Sequence, residues 1–378
     1  MTTDNNLLAL LSLVYCPHLG SSSIRLLEKK FVNLSEVFTV DENILRKTGV
    51  RLSTLNKFYK WRRTFSNKTL LTDLQNSGIS FVSWHDNSYP SLLKEIPDPP
   101  PILFYRGQLV SNFPDKDKYS LAVIGARQCT AYAEKVIKNI LPVNLTKHLT
   151  IISGLASGVD RLAHERSLEC QGRTIAVLGS GLNWQQFYPR ANRQLAEDII
   201  RSGGCILSEF PPHIPPNKIN FPRRNRLISG LAKCVLVIEA APRSGSLITA
   251  RAALEQGRDV LAVPGNIFWD KSTGTNQLIQ VGAKPILSAD DLIESLGIEL
   301  VTNNKEELNI SDTNLEALSD NENLIYSLIV TYYQRGEKIT AEKIVLESKL
   351  DTSAINSTLT ILELKGLTKE VMGNFEPC

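Results

Sequence analysis

Residues 221–226 read Phe-Pro-Arg-Arg-Asn-Arg, and residues 242–251 read Pro-Arg-Ser-Gly-Ser-Leu-Ile-Thr-Ala-Arg. Between Lys218 and Arg258 stand eight Lys or Arg (218, 223, 224, 226, 233, 243, 251 and 258) against two acids, Glu239 and Glu255. That local excess is +6 over 41 residues, while all 378 residues together carry only +3. Guanidinium groups bind phosphate oxygens, and glycine lets a backbone approach them closely. A lone aromatic beside such a cluster can stack an unpaired base. Phe221 is open to two readings, base stacking or packing against Leu227 or Ile228 with Pro222 at the first helical position. Arg223, Arg224 and Arg226 cannot all face a core, so at least two are expected at the surface. The chemistry is that of a phosphate and base surface, not of a catalytic centre.

Three further turns, with one from the second of these stretches, support this. Gly125-Ala126-Arg127, Ser153-Gly154-Leu155-Ala156-Ser157-Gly158, Gly179-Ser180-Gly181 and Arg243-Ser244-Gly245-Ser246 each follow a strand-like run, and helices open after them. Helix N-termini present free amides and a positive dipole end, which together attract anions. The candidate residues for contacting such a phosphate- and base-bearing ligand are Gly125, Arg127, Gly154, Gly158, Phe221, Arg223, Arg224, Asn225, Arg226, Arg243, Ser244, Gly245 and Ser246.

Other chemistries find thinner support. Gly179-Ser180-Gly181-Leu182-Asn183-Trp184 begins like a dinucleotide fingerprint, but Trp184 replaces its third glycine, and no P-loop motif occurs. No cofactor is expected. Asp160 and His164, four apart on a helix, could with Ser153 or Ser157 imitate a hydrolase set. The structural reading is a histidine held by its own helix. The enzymatic alternative is a nucleotide or nucleoside-monophosphate hydrolase using Pro264-Gly265-Asn266 and Thr273-Gly274-Thr275-Asn276 around a ribose phosphate. The expectation is no enzyme. The six cysteines are scattered, without metal-ligand spacing, and read as reduced thiols of a cytoplasmic protein.

Such turns need a sheet to align them. Strand-like runs at 79–84, 102–105, 121–124, 149–152, 174–178, 205–207, 234–238, 260–263 and 285–287 alternate, from 121 on, with helices at 131–141, 159–170, 192–201, 223–231, 247–256 and 276–281. The strands are continuously apolar, as when helices cover both faces of a parallel sheet. The fold class is therefore α/β, an extended Rossmann-like, doubly wound, mostly parallel sheet over 77–298, with its ligand site at the carboxyl ends of the strands. Residues 1–76 read as a small helical domain of helix-hairpin-helix or SAM-like type. Its first hairpin has His18 where such motifs ordinarily have glycine, and a plain packing domain is the alternative. Residues 299–318 are an acidic linker. Residues 319–378 give three helices and a hairpin, a winged-helix-like pattern suited to protein contact or dimerisation at least as well as to DNA. No apolar run reaches membrane-spanning length, and Met1–Asn6 lacks a basic leader.

These motifs resemble the DprA/Smf DNA-processing family, over nearly the whole chain and most strongly over 121–282. The matching residues are Val123–Arg127, Ser153–Asp160, Ala163-His164, Thr174–Gly181, Tyr188-Pro189, Leu207–Pro211, Phe221–Arg226, Arg243–Ala250 and Val263–Asn266. The resemblance implies an extended Rossmann core that binds single-stranded DNA, forms a homodimer and loads the RecA recombinase during natural transformation, without catalysis. It also implies that Arg127 contacts DNA. Ala126 stands where the family usually has Ser, and Ser157 where a Lys or Arg usually meets DNA. That second contact would be lost or taken over by Arg161 or Arg166.

Overall fold

The computed structural model describes residues 5–109, 119–298, 318–334, 337–348, 350–371 and 373–377. They fall into two compact units, one ending at residue 298 and one beginning at 318. The acidic linker expected at 299–318 lies, but for Leu318, outside the described residues.

In the first unit a nine-stranded sheet comprises β1 (Ser80–Ser83), β2 (Ile102–Gly107), β3 (Ser120–Ile124), β4 (Thr150–Ser153), β5 (Arg173–Val177), β6 (Cys205–Ser208), β7 (Cys234–Val237), β8 (Asp259–Ala262) and β9 (Lys284–Pro285). The strand order is β1-β2-β6-β5-β4-β3-β7-β8-β9. All pairs from β6 to β9 are parallel, while β2 runs antiparallel to both β6 and β1. This is the expected doubly wound, mostly parallel sheet. The chain moves outward one way through β4, β5 and β6, then returns to the centre and moves the other way through β7, β8 and β9. The topological switch lies between β3 and β7, where loops part and a crevice opens at the carboxyl ends.

The apolar continuity of the strands has a simple cause. In β3, Leu121 and Val123 face one core while Ala122 and Ile124 face the other, and β7 splits Cys234 and Leu236 from Val235 and Val237 in the same way. Helices cover both faces, so neither set of alternate positions meets water. The helices of the N-terminal segment join one of these cores. Leu10, Leu27 and Phe58 belong to the same cluster as Leu103, Phe104 and Ile206, and Tyr15 meets Phe104 edge-on at 6.1 Å.

Two helical hairpins do form in that segment. Asn5–Val14 is followed by Ser21–Lys30, and Glu42–Arg46 by Leu52–Arg62. Both turns require a left-handed residue, supplied by Gly49 (φ 84°) and His18 (φ 71°). His18 thus occupies a conformation that glycine adopts without steric penalty. The second unit holds the helices Asp320–Gln334, Ala341–Ser348 and Thr352–Leu364, then the hairpin Thr368–Val371 with Asn374–Pro377. Thr352–Leu364 contains no Lys or Arg, and Lys365 just beyond it is paired with Glu322.

Candidate nucleic-acid interface

A cavity of about 840 Å³ lies at the switch point, open to solvent. Its floor is the end of β3 and the loop that follows, Ile124 to Gln128. One wall is the start of the helix Asn220–Gly230, and the other is the turn that opens the helix Gly245–Glu255. Both helices flank β7 and run against the strand direction, so their N-termini arrive at the carboxyl edge. Asn225 joins the walls, since its Nδ2 donates to the Gly245 carbonyl at 3.3 Å. The β3 loop is tied down beside them. The Thr130 amide donates to the buried Glu239 carboxylate at 3.1 Å, and the Thr130 hydroxyl bonds the same group.

Arg127, Lys218, Arg243 and Lys271 line this cavity, and Arg223 is exposed on the same helix as Phe221. None of the five has an acid within ion-pair distance among the described residues. Elsewhere arginines are neutralised within the chain: Arg161 by Glu165, Arg193 by Glu197 and Arg258 by Glu95. An open concavity with uncompensated cations holds a positive field that long exposed ion pairs would otherwise cancel.

Phe221 is half-buried beside this field. Its ring lies 5.7 Å from that of exposed Tyr188, and the Arg127 guanidinium stands over it at 5.5 Å. Gly179 makes room for it: a Cβ there would come within 2.7 Å of the Phe221 ring. The helix begins at Asn220, three residues before its expected start, so Pro222 is its third residue rather than its first.

Arg224 goes inward. It is 4% exposed, and its Nη1 donates to the carbonyls of Gly154 (2.9 Å) and Val177. Burial lowers its pKa to about 10, against the opposing pull of Asp160 and with Arg127 adding to the decrease. Asp160 is buried with it and accepts from the Ala156 amide at 3.3 Å. Burial pushes its carboxyl up, and the Arg224 charge holds it down. Arg226 is mostly covered as well, paired with Glu209 at 2.5 Å and Asp98 at 3.5 Å. Of the three arginines in the motif only Arg223 is exposed, where two or more were expected.

The glycine turns also divide. A Cβ on Gly154 would come within 2.7 Å of Arg224 and Asp160. Gly158, at φ 79°, holds its α-carbon against the carbonyls of Ala126 and Arg127, and the next amide, of Val159, donates to Ala126 at 3.1 Å. Gly125 packs on Val159. These three positions bring chain segments together. Gly245 differs, because a Cβ there meets nothing within 4 Å. Ser244 caps its helix, accepting from the Ser246 amide at 3.3 Å.

The cavity thus unites Gly125, Arg127, Phe221, Arg224, Asn225, Arg243, Ser244, Gly245 and Ser246, although Arg224 is only 4% exposed and its guanidinium is turned inward. Gly154, Gly158, Arg223 and Arg226 are not in the lining. Tyr188, Gln128 and Lys271 are, although they were not among the expected contacts. Lys271 had no local signal, because its helix, Asp270–Gln280, starts six residues before the apolar periodicity does. Ser157 is exposed, while Arg161 and Arg166 are engaged by Glu165 and by the Leu141 carbonyl (2.9 Å).

The hydrolase-like residues have other partners. Ser153 Oγ donates to the Val123 carbonyl at 2.6 Å. Thr174 Oγ1 donates to Ile151, so His164 Nδ1 must donate to Thr174, at 2.6 Å. Burial lowers the His164 pKa to about 3, helped by Arg224, so the ring is neutral.

The model of the family described as DNA recombination-mediator protein A matches residues 80–297. Protein Smf of Escherichia coli is 40% identical over 257 residues, which are 68% of this chain and 67% of that protein. DNA processing protein DprA of Bacillus subtilis is 42% identical over 227 residues, 60% of this chain and 74% of that protein. The X-ray structure of DNA processing protein A from Streptococcus pneumoniae superposes with a TM-score of 0.64 at 36% identity, covering 78% of this chain and 98% of that one. Among the described residues no helix is long and apolar enough to cross a membrane.

Proposed function

The chain belongs to the DNA recombination-mediator protein A family, and from that premise we propose that it binds single-stranded DNA in the cavity at the switch point. One observation carries the reading: cations without acidic partners among the described residues surround an open concavity that also presents an aromatic face. Phosphates would lie against Arg127, Lys218, Arg223, Arg243 and Lys271, and an unpaired base would stack on Phe221 and Tyr188. Duplex DNA keeps its bases paired and offers no free face to that ring, so single strands are preferred. Sequence preference is weak, since a stacking face and a phosphate charge are common to all four nucleotides.

The role is binding rather than catalysis. Among the described residues the one carboxylate in the lining, Asp160, is buried against Arg224, and the hydroxyl of Ser153 is committed to a backbone carbonyl. The finer reading, in which a cytoplasmic homodimer protects incoming strands and loads RecA onto them during natural transformation, rests on family membership. A titration of single-strand and duplex binding against salt tests the proposal. Tighter, steeply salt-dependent binding of the single strand is expected. Equal affinity for both forms would remove the role of the aromatic face.

A further inference from the structure

The loop after β8 carries Ile267, Phe268 and Trp269, which are 78%, 87% and 50% exposed. Three consecutive large apolar side chains are held in water there, and the loop is braced rather than loose. Asn266 Oδ1 accepts from the Phe268 amide at 2.9 Å, and the Asn266 carbonyl accepts from the Trp269 amide at 3.0 Å. Asn276 both donates to the Gly265 carbonyl (3.0 Å) and accepts from the Gly265 amide (3.2 Å). Gly265 lies so close to Ser272 that a Cβ would meet its hydroxyl.

This loop adjoins the cavity. Lys271, two residues beyond Trp269, lines it, as does Gln128 in the loop that precedes Tyr132. Tyr132 meets Trp269 edge-on at 6.3 Å and donates its hydroxyl to the Pro264 carbonyl at 2.8 Å. The lining therefore runs from the Tyr188–Phe221 ring pair, past Arg127 and Gln128, to Lys271, and the second aromatic group begins just outside it, two residues before Lys271. Asp270 adjoins this group and would repel phosphate, so its rings suit base faces rather than the backbone.

We infer that Phe268 and Trp269 form a second stacking platform, which takes bases of the same strand after it leaves the cavity past Lys271. This rests on the proposed binding of single-stranded DNA and lengthens its path. Preorganised rings need no ordering on binding, and base stacking on an aromatic ring is tolerant of sequence.

The test compares the full chain with a Phe268→Ala/Trp269→Ala variant on oligothymidylates of about 4 and about 12 nucleotides, lengths chosen to fill one platform or both. The side chains are exposed, so the variant keeps its melting temperature. The short strand should bind both proteins equally, while the long strand should lose about five- to a hundredfold in affinity for the variant, with the salt slope unchanged. Trp269 emission, taken as the difference between the wild type and Trp269→Phe, should be quenched by the long strand and not by the short one. If the wild type binds neither strand, the cavity reading fails and this extension with it. If the wild type binds both and the double variant matches it at both lengths, the extension is wrong and the cavity reading stands. A variant altered only in self-association by sedimentation would assign the loop to a protein contact and likewise overturn it.

Discussion

Replacing Arg127 by Ala separates an electrostatic groove from a merely basic surface. Among the described residues five cations stand at or beside the cavity without acidic partners: Arg127, Lys218, Arg223, Arg243 and Lys271. For single strands the slope of log K against log salt is about −0.7 per phosphate neutralised, so five contacts give about −3.5. Between about 50 and 200 mM salt the wild type should then weaken about a hundredfold. Without Arg127 the slope falls to about −2.8, and the affinity drops about eightfold at 50 mM but only about threefold at 200 mM. Fluorescence anisotropy of a labelled single strand over that range reads both quantities. Arg226→Ala is the control, because this arginine is already neutralised by Glu209 and Asp98. Its loss should leave the slope unaltered although it frees two carboxylates. The groove is refuted if Arg127→Ala keeps wild-type affinity and slope, or if Arg226→Ala changes the slope as much.

Phe221→Ala should weaken single-strand binding by about 1–3 kcal/mol with no change of slope; Phe221→Leu, which fills the same half-buried space, should restore the melting temperature but not the affinity, and rescue of both would reduce the ring to a packing element. Arg224→Ala should destabilise the fold by about 3–5 kcal/mol in urea, because Asp160 is left buried without its countercharge; a stable variant with impaired binding would return Arg224 to the interface. The His164 pKa is about 3, well below its unfolded value, so its contribution is intact above about pH 6.5 and is lost as pH falls toward 3, at about 1.4 kcal/mol per pH unit. His164→Asn should flatten the acid limb of stability measured in urea from pH 7 to 4, and an unchanged limb would contradict the burial argument. Gly245→Ala should leave the melting temperature unchanged or slightly raised, yet weaken binding about two- to thirtyfold if a phosphate approaches that helix start; undiminished binding would assign the affinity to side-chain charge alone.

The sheet was legible because its strands are buried on both faces, which leaves runs such as Leu121–Ile124 and Cys234–Val237 without polar interruption. Helix starts were less legible. Pro222, Gly245 and the Ser272–Gly274 stretch have poor helix propensity, and three helices begin before the apolar spacing shows. The cation count failed for a geometric reason. Successive residues on a helix diverge by about 100°, so Arg224 turns from Arg223 into the core, while Arg226, three positions on and near the face of Arg223, is taken up by Glu209 and Asp98. The same holds for glycine. A turn that admits a phosphate and a turn that admits a neighbouring backbone use one residue type, and only the tertiary structure distinguishes Gly245, open to solvent, from Gly154, filled by Arg224. The consequence for binding is specific. The charge lost with Arg224 and Arg226 is replaced by Arg127, Lys218 and Lys271, which come from three separate crossovers and meet only at the switch between β3 and β7. A groove assembled this way depends on the alignment of the sheet. Its affinity for single strands should therefore disappear together with the fold, where that of a basic tail would survive unfolding.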